Sequence, residues 1–230
     1  MLSTMRFTNG LFADLLENLS FYGSVAELRV EGEKLVISMS GSSANIAFYA
    51  SFYSFEFEGP EFVPFFFDVK NVVKAVKDEQ FFSLEVHKNS FVIHCDDAHF
   101  IFYKERDSGM IRIDDLTLSV PVNCTVSYSN ILQIQKLLRF DDTIVLRSQQ
   151  GVCCEKNGHY VFLPDISLNK GFEGFFESKF SRENLYFLKF LEEMDCVQFS
   201  FGDNNPLKVF FEKRGVMIGV AVIAPKKEVK

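Results

Sequence analysis

The sequence predicts an α+β protein built from two similar halves. Segments with alternating apolar and polar residues are typical of half-buried strands, and four amphipathic stretches have helical spacing. Each half has these elements in the order helix, strands, helix, strands. The shared order suggests an internal duplication, although identity between the halves is faint.

In the first half, residues 11–22 place leucines on one face of a predicted helix. Residues 68–79 place valines at helical spacing behind Asp68, whose carboxylate is a candidate N-cap. The strand-like segments of this half are 26–40 (two strands), 44–58 and 81–105 (three strands).

The second half repeats the pattern. We predict helices over 129–140, capped by Ser129, and over 181–193, opened by Ser181. Residues 143–163 and 196–226 each predict three strands.

A polar segment separates the halves. It contains Gly109 and ends at Pro121, which is typical of a connector that runs over the surface. The predicted organisation is an N-terminal domain over 1–107, a connector over 108–122 and a C-terminal domain over 123–230.

Composition limits the class of protein. The 230 residues are 47% hydrophobic and 24% charged, as in a soluble globular protein. No apolar run approaches the roughly 18–20 residues of a spanning helix, and the first residues lack the order expected of a signal peptide. The net charge of −7 means that any contact with DNA needs a local positive surface, and an odd count of five cysteines indicates reduced thiols.

The sequence contains no nucleotide-binding, zinc-protease or serine-hydrolase motif. His94 and His99 flank Asp96-Asp97, but this segment is better explained as a solvated hairpin tip than as a metal site. The acidic pairs Asp114-Asp115 and Asp141-Asp142 fall in turns. We therefore predict no catalytic residues, no metal and no cofactor, and a binding or structural protein rather than an enzyme.

A family resemblance emerges near the C-terminus. Residues 190–228 form a helix, a strand, a turn with Pro206-Leu207, two strands and a closing Ala224-Pro225-Lys226, and they resemble the end of the DNA sliding clamps. That family includes proliferating cell nuclear antigen (PCNA). Residues 10–48 and 68–77 resemble its first two helices and the strands between them. The resemblance covers almost the whole chain and depends on order and spacing rather than on one motif.

The resemblance implies two clamp domains per subunit, in a trimeric ring with strands outside and four helices lining a central hole. Double-stranded DNA passes through the hole. The implied partners are two other clamp subunits, a clamp loader, and DNA polymerase or repair proteins, with no membrane. The residues implied to face the DNA are Lys70, Lys74, Lys77, Lys136, Arg139, Arg182 and Lys189.

The resemblance also implies two kinds of protein contact. Neighbouring subunits would pair edge strands, here 99–106 and 159–164. Partner peptides would insert apolar anchors into a pocket beneath the connector. Its residues here would be Met39, Ile46, Leu118, Val120, Pro121, Pro206, Val222, Ile223 and Pro225.

The type of clamp stays open at this point. The first helix carries Asp14 and Glu17 and no Lys or Arg, unlike replicative clamps. Residues 15–39, 42–59 and 163–172 resemble the Rad-type subunit of the eukaryotic heterotrimeric checkpoint clamp, which is the preferred interpretation. A replicative processivity clamp is the alternative, favoured by the C-terminal motifs. A third is an α+β ligand or protein interaction module unrelated to DNA. We expect a nuclear location for a eukaryotic chain and a cytoplasmic one for an archaeal chain.

Overall fold

The structure is a computed structural model. It describes residues 3–7, 10–23, 25–41, 45–53, 55–58, 64–77, 79, 82–107, 113, 120–139, 143–148, 152–163, 165–168 and 174–226. Leu118, Gly109 and the acidic pairs Asp114-Asp115 and Asp141-Asp142 lie outside these residues.

All four predicted helices are present, as α1 (Leu11–Leu19), α2 (Val69–Val76), α3 (Tyr128–Leu138) and a fourth helix (Glu183–Glu193). The cap predicted for α2 is confirmed, since the Asp68 side chain accepts a hydrogen bond from the Asn71 amide at 3.0 Å. The cap predicted for α3 is wrong. Ser127 takes this position, because it forms a reciprocal capping box with Asn130.

The fourth helix differs from its prediction in geometry and in its start. It is a 3₁₀ helix, and Ser181 belongs to the preceding strand instead of capping it. A buried tyrosine inserts its hydroxyl into the first turn of this helix, because Tyr22 Oη accepts a hydrogen bond from the Phe187 amide at 2.7 Å and donates to the Asn184 carbonyl at 3.2 Å. In an α-helix the Phe187 amide would bond to the carbonyl four residues earlier.

The described residues also form eighteen strands. They are β1 (Ser3–Phe7), β2 (Val25–Glu31), β3 (Lys34–Ser40), β4 (Ile46–Phe52), β5 (Phe55–Glu58), β6 (Phe65–Asp68), β7 (Phe82–Val86), β8 (Ser90–His94), β9 (His99–Tyr103), β10 (Val122–Thr125), β11 (Thr143–Ser148), β12 (Val152–Lys156), β13 (His159–Leu163), β14 (Asp165–Leu168), β15 (Glu177–Ser181), β16 (Cys196–Phe201), β17 (Leu207–Lys213) and β18 (Met217–Ile223).

Three sheets contain these strands. A nine-stranded sheet has the order β14-β10-β16-β17-β18-β4-β3-β2-β6 and joins the two halves of the chain through antiparallel β4 and β18. A five-stranded sheet, β5-β1-β7-β8-β9, and a four-stranded sheet, β13-β12-β11-β15, complete the fold.

The hydrophobic core lies between these sheets and the helices. From the helices it receives Leu15, Leu16 and Leu19 of α1 and Phe187 and Leu188 of the fourth helix, all fully buried. The Phe187 ring packs edge-on against Phe48 of β4 at 5.5 Å between centroids. Because the apolar helix faces are used in the core, the opposite faces are left to solvent.

Candidate nucleic-acid interface

The four helices form one continuous layer. Helix α1 contacts α2 on one side and the fourth helix on the other, and the fourth helix contacts α3. The helices therefore follow one another in the order α2, α1, fourth helix, α3. We call their solvent-facing side the helix face.

The helix face holds the basic residues singled out in the sequence. Lys70 and Lys74 are exposed on α2, and Lys136 is exposed in the last turn of α3, three residues before Arg139 at the helix end. On the fourth helix Lys189 is exposed, and Arg182 directly before the helix is half-buried. Lys77 is exposed as well, but its ammonium forms a 2.9 Å ion pair with Glu17 of α1.

Three of these cations converge although they come from different elements. Arg139, Arg182 and Lys189 line a cavity of about 200 Å³ between α3 and the fourth helix. The remaining lining consists of Gln135, Leu138, Leu185 and Tyr186. The Gln135 side-chain amide donates to Glu192 at 2.7 Å, which fixes one wall of the cavity.

The surface around α1 has the opposite charge. Partial burial raises the pKa of Asp14, the charges of Glu193 and Glu17 raise it further, and Lys189 opposes them. The acidic groups of α1 and of the end of the fourth helix therefore repel one another. The basic residues of the helix face therefore lie at its two ends, on α2 and around the cavity.

We expect Asp14→Asn to strengthen binding of duplex DNA without loss of stability. The folded-state pKa lies above the unfolded value, so the ionised carboxylate costs stability at neutral pH and this cost vanishes as the pH falls below the unfolded pKa. Because the group is largely solvated, the gain is about 0.3 kcal/mol. Denaturant unfolding and anisotropy with a labelled duplex at low salt measure both effects. Glu33→Gln, on the β2–β3 turn, removes the same charge elsewhere and should leave the affinity unchanged; equal effects of the two variants would contradict the prediction.

Two sheet edges expose large apolar side chains. In β9, Ile101 is 68% exposed and Tyr103 is 79% exposed, and in β13 Tyr160 and Phe162 are 59% and 60% exposed. Each strand is the last of its sheet within the described residues. Helix α3 packs against β13, where the Asn130 side chain donates to the Phe162 carbonyl at 3.0 Å.

The residues predicted for a peptide pocket are mostly covered. Met39, Ile46, Pro121, Val222 and Ile223 are buried, and Val120, Pro206 and Pro225 are half-buried. Met39, Ile46, Val222 and Ile223 pair within the nine-stranded sheet, where Ile46 lies opposite Ile223. With Leu118 outside the described residues, the pocket stays a prediction.

Three of the four histidines, His87, His94 and His99, form a polar cluster on the five-stranded sheet. His94 and His99 are cross-strand partners with their Nδ1 atoms 2.9 Å apart, and Glu85 lies 3.0 Å from both His87 Nε2 and His94 Nε2. Within the part of the chain that the structure describes, no three metal-binding side chains are grouped to hold an ion. No described helix has the length and apolar character to cross a bilayer.

Sequence reasoning missed two aromatic residues on the helix face. Phe21, just after α1, is 68% exposed, and Tyr186 of the fourth helix is 43% exposed; their ring centroids are 5.7 Å apart. Tyr186 lies one helical turn before Lys189, and this spacing was the available signal. The contact with Phe21 depends on tertiary packing.

No protein-family model and no curated protein matches the sequence, but solved structures match the fold. A. fulgidus PCNA, solved with the C-terminal region of FEN-1 bound, matches with a TM-score of 0.81 and 17% identity over 100% of both chains. PCNA from Entamoeba histolytica matches with a TM-score of 0.79 and 17% identity, over 98% of this chain and 99% of that one. The PCNA2–PCNA3 complex from Sulfolobus tokodaii matches with a TM-score of 0.77 and 16% identity, over 97% of this chain and 99% of the matched chain.

The chain therefore has the fold of the PCNA-type sliding clamps, and the predicted α+β clamp fold is confirmed. At 16–17% identity the comparison shows the fold.

Proposed function

We propose that the chain is a non-catalytic subunit of a ring-shaped sliding clamp that encircles duplex DNA and recruits partner proteins. Two other clamp subunits complete the ring, a clamp loader places it on DNA, and DNA polymerase or repair proteins bind it. The observation that carries the proposal is the pair of exposed apolar edge strands, β9 and β13, in a chain with the clamp fold.

The edge strands suit head-to-tail assembly of clamp subunits. Unpaired strand edges with exposed apolar side chains favour association, and soluble proteins usually protect or charge them. Ile101 and Tyr103 of β9 and Tyr160 and Phe162 of β13 instead leave both edges apolar. Two different edges on one subunit make a heterologous contact, which closes into a ring when the rotation allows.

The helix face suits a sliding contact with duplex DNA. Its lysines and arginines are spread over a layer of helices packed side by side, which is wider than the major groove of about 12 Å that admits a single helix. Such groups contact phosphates and position a protein without reading bases. The net charge of −7 over the chain keeps other surfaces unattractive to DNA.

Among clamps we favour the DNA-damage checkpoint clamp, a heterotrimer that acts in the nucleus. This choice is supported by α1, which is acidic: it contains Asp14 and Glu17 and neither Lys nor Arg. The second candidate is a replicative processivity clamp that tethers DNA polymerase, supported by Pro206-Leu207 and Ala224-Pro225-Lys226.

The mass in solution tests assembly. By light scattering across a concentration series, we expect a monomer of 26.4 kDa if two different subunits are missing. A stable particle of three chains would favour the replicative, homotrimeric candidate. In either case Ile101→Asp should weaken any self-association, because it places a charge in the edge contact.

Phe175→Asp serves as the matched control. Phe175 is 52% exposed and lies outside the strands, so its replacement should leave the mass unchanged. A stable trimer that survives both Ile101→Asp and Phe162→Asp would contradict the proposed ring contact.

A further inference from the structure

We propose that the helix face contains a site for an unpaired nucleotide of a single-stranded nucleic acid. The site consists of Phe21, Tyr186, Arg139, Arg182 and Lys189 and is called the aromatic–basic site below. This inference rests on the proposed function and deepens it. A duplex held only through its phosphates offers no unpaired base, whereas this site would bind one.

The basic part of the site is available to a ligand. Arg139, Arg182 and Lys189 line the same cavity, and within the described residues none of the three forms an ion pair. Asp14 acts on Lys189 through its charge, without a salt bridge. Guanidinium groups present several donors in one plane and bind phosphate oxygens in pairs. Arg139 and Arg182 therefore suit the phosphates of a nucleic-acid strand.

The aromatic part of the site is unusual for a solvated helix face. Phe21 and Tyr186 are 68% and 43% exposed, and their ring planes are tilted by 41° at a centroid distance of 5.7 Å. Tyr186 connects the two parts, because its side chain also lines the cavity. Exposed aromatic rings beside a basic groove are the combination with which proteins bind single strands, by base stacking and by phosphate contacts.

Unpaired nucleotides fit this combination better than duplex DNA does. In a duplex the base faces are covered by neighbouring base pairs, so Phe21 and Tyr186 would find no partner. The bases of single strands can be splayed out and stacked on aromatic side chains. The cavity of about 200 Å³ has apolar side chains, Leu138 and Leu185, beside the Gln135 amide, which suits a flat, partly polar ring.

Fluorescence anisotropy of the purified chain tests the site with three probes at low salt. These are a twelve-nucleotide oligothymidylate, an abasic strand of the same length, and the matching duplex. We expect the oligothymidylate to bind about tenfold more tightly than the abasic strand, since stacking is the difference between them. Tyr186→Ala should abolish this preference, and Tyr186→Phe should keep it.

Tyr128→Ala is the matched control. Tyr128 is 56% exposed at the start of α3, about 10 Å along the helix from Gln135. Its replacement should leave all three affinities unchanged. Quenching of 2-aminopurine in the oligonucleotide reports stacking directly and should be lost only in Tyr186→Ala. Unchanged melting temperatures show that the variants fold.

Equal affinity for the abasic strand and the oligothymidylate would overturn the inference and reduce the site to a phosphate contact. Displacement of the oligothymidylate by an equal concentration of a glutamate dodecapeptide would also overturn it, in favour of an acidic peptide. The ring proposal is tested separately by mass and by retention on duplex DNA. Tyr186→Ala should retain both properties, so failure of one proposal is distinguishable from failure of the other.

Discussion

Reversing four charges on the helix face, with Lys74, Lys77, Lys136 and Lys189 each replaced by Glu, is expected to release the assembled ring from duplex DNA. All four are exposed: Lys74 and Lys77 lie on α2 and directly after it, Lys136 on α3 and Lys189 on the fourth helix. Duplex DNA carries one negative charge per roughly 1.7 Å of its axis, so each reversal replaces an attraction with a repulsion. We expect retention to fall by about tenfold or more.

Retention is measured on a linear duplex that the ring threads before both ends are blocked with streptavidin. A topologically linked ring stays on such DNA after a salt wash and leaves when a restriction enzyme cuts the duplex. The matched control reverses Lys34 and Lys208, which lie on β3 and β17, and Lys88 and Arg214, which lie on hairpin turns. Both variants change the net charge from −7 to −15, because each of the four replacements changes the charge by −2.

The comparison separates position from net charge. If both variants lose retention equally, total charge decides and the helix face has no special role. If the helix-face variant is retained like the unmodified protein, the assignment of that face to DNA is wrong. Lys77→Glu also breaks the ion pair with Glu17, so thermal unfolding of both variants is needed to exclude loss of fold.

The strands predicted from sequence are those paired with near neighbours. Residues 26–40 and 81–105 form the predicted hairpins β2–β3 and β7–β8–β9, because alternation and turn residues act locally. Five strands escaped prediction. They are β1, β6, β10, β14 and β15, each of four or five residues and each paired with a strand distant in sequence. Short segments without a local partner carry little periodic signal.

The helix face shows the same division between local and tertiary information. Helical spacing places Lys74 and Lys136 on solvent-facing positions, and the structure has them exposed. The cavity needs Arg139 from the end of α3 beside Arg182, forty-three residues later, and only the packed helices bring these together. The first turn of the fourth helix likewise holds the hydroxyl of Tyr22, a residue of the other half.

Replacement of Phe211 is expected to show how the core positions the helix face. Phe211 is fully buried in β17, lies opposite Gly219 of β18, and packs against Phe48, Phe187 and Phe190 at 5.3–6.0 Å between ring centroids. Phe211→Ala should lower the free energy of unfolding by about 3–5 kcal/mol, since it removes an aromatic ring and leaves a cavity. For a chain of this size, each kcal/mol corresponds to about 2–4 °C in melting temperature.

Gly219 makes the prediction specific to this pair. A Cβ atom at Gly219 would overlap the Phe211 ring, so Gly219→Ala alone should be destabilising by about 1–3 kcal/mol. In the double variant the ring is gone and the added methyl group occupies part of its space. In a double-mutant cycle measured by denaturant unfolding, the double variant should therefore lose clearly less stability than the sum of the two single losses. Additive losses would mean that Gly219 is required for another reason.

The same core position should affect duplex binding. Phe187 and Phe190 belong to the fourth helix, so Phe211→Ala should also weaken the contact of Lys189 with duplex DNA. Gly219→Ala keeps the Phe211 ring, which can shift, so it should weaken this contact less.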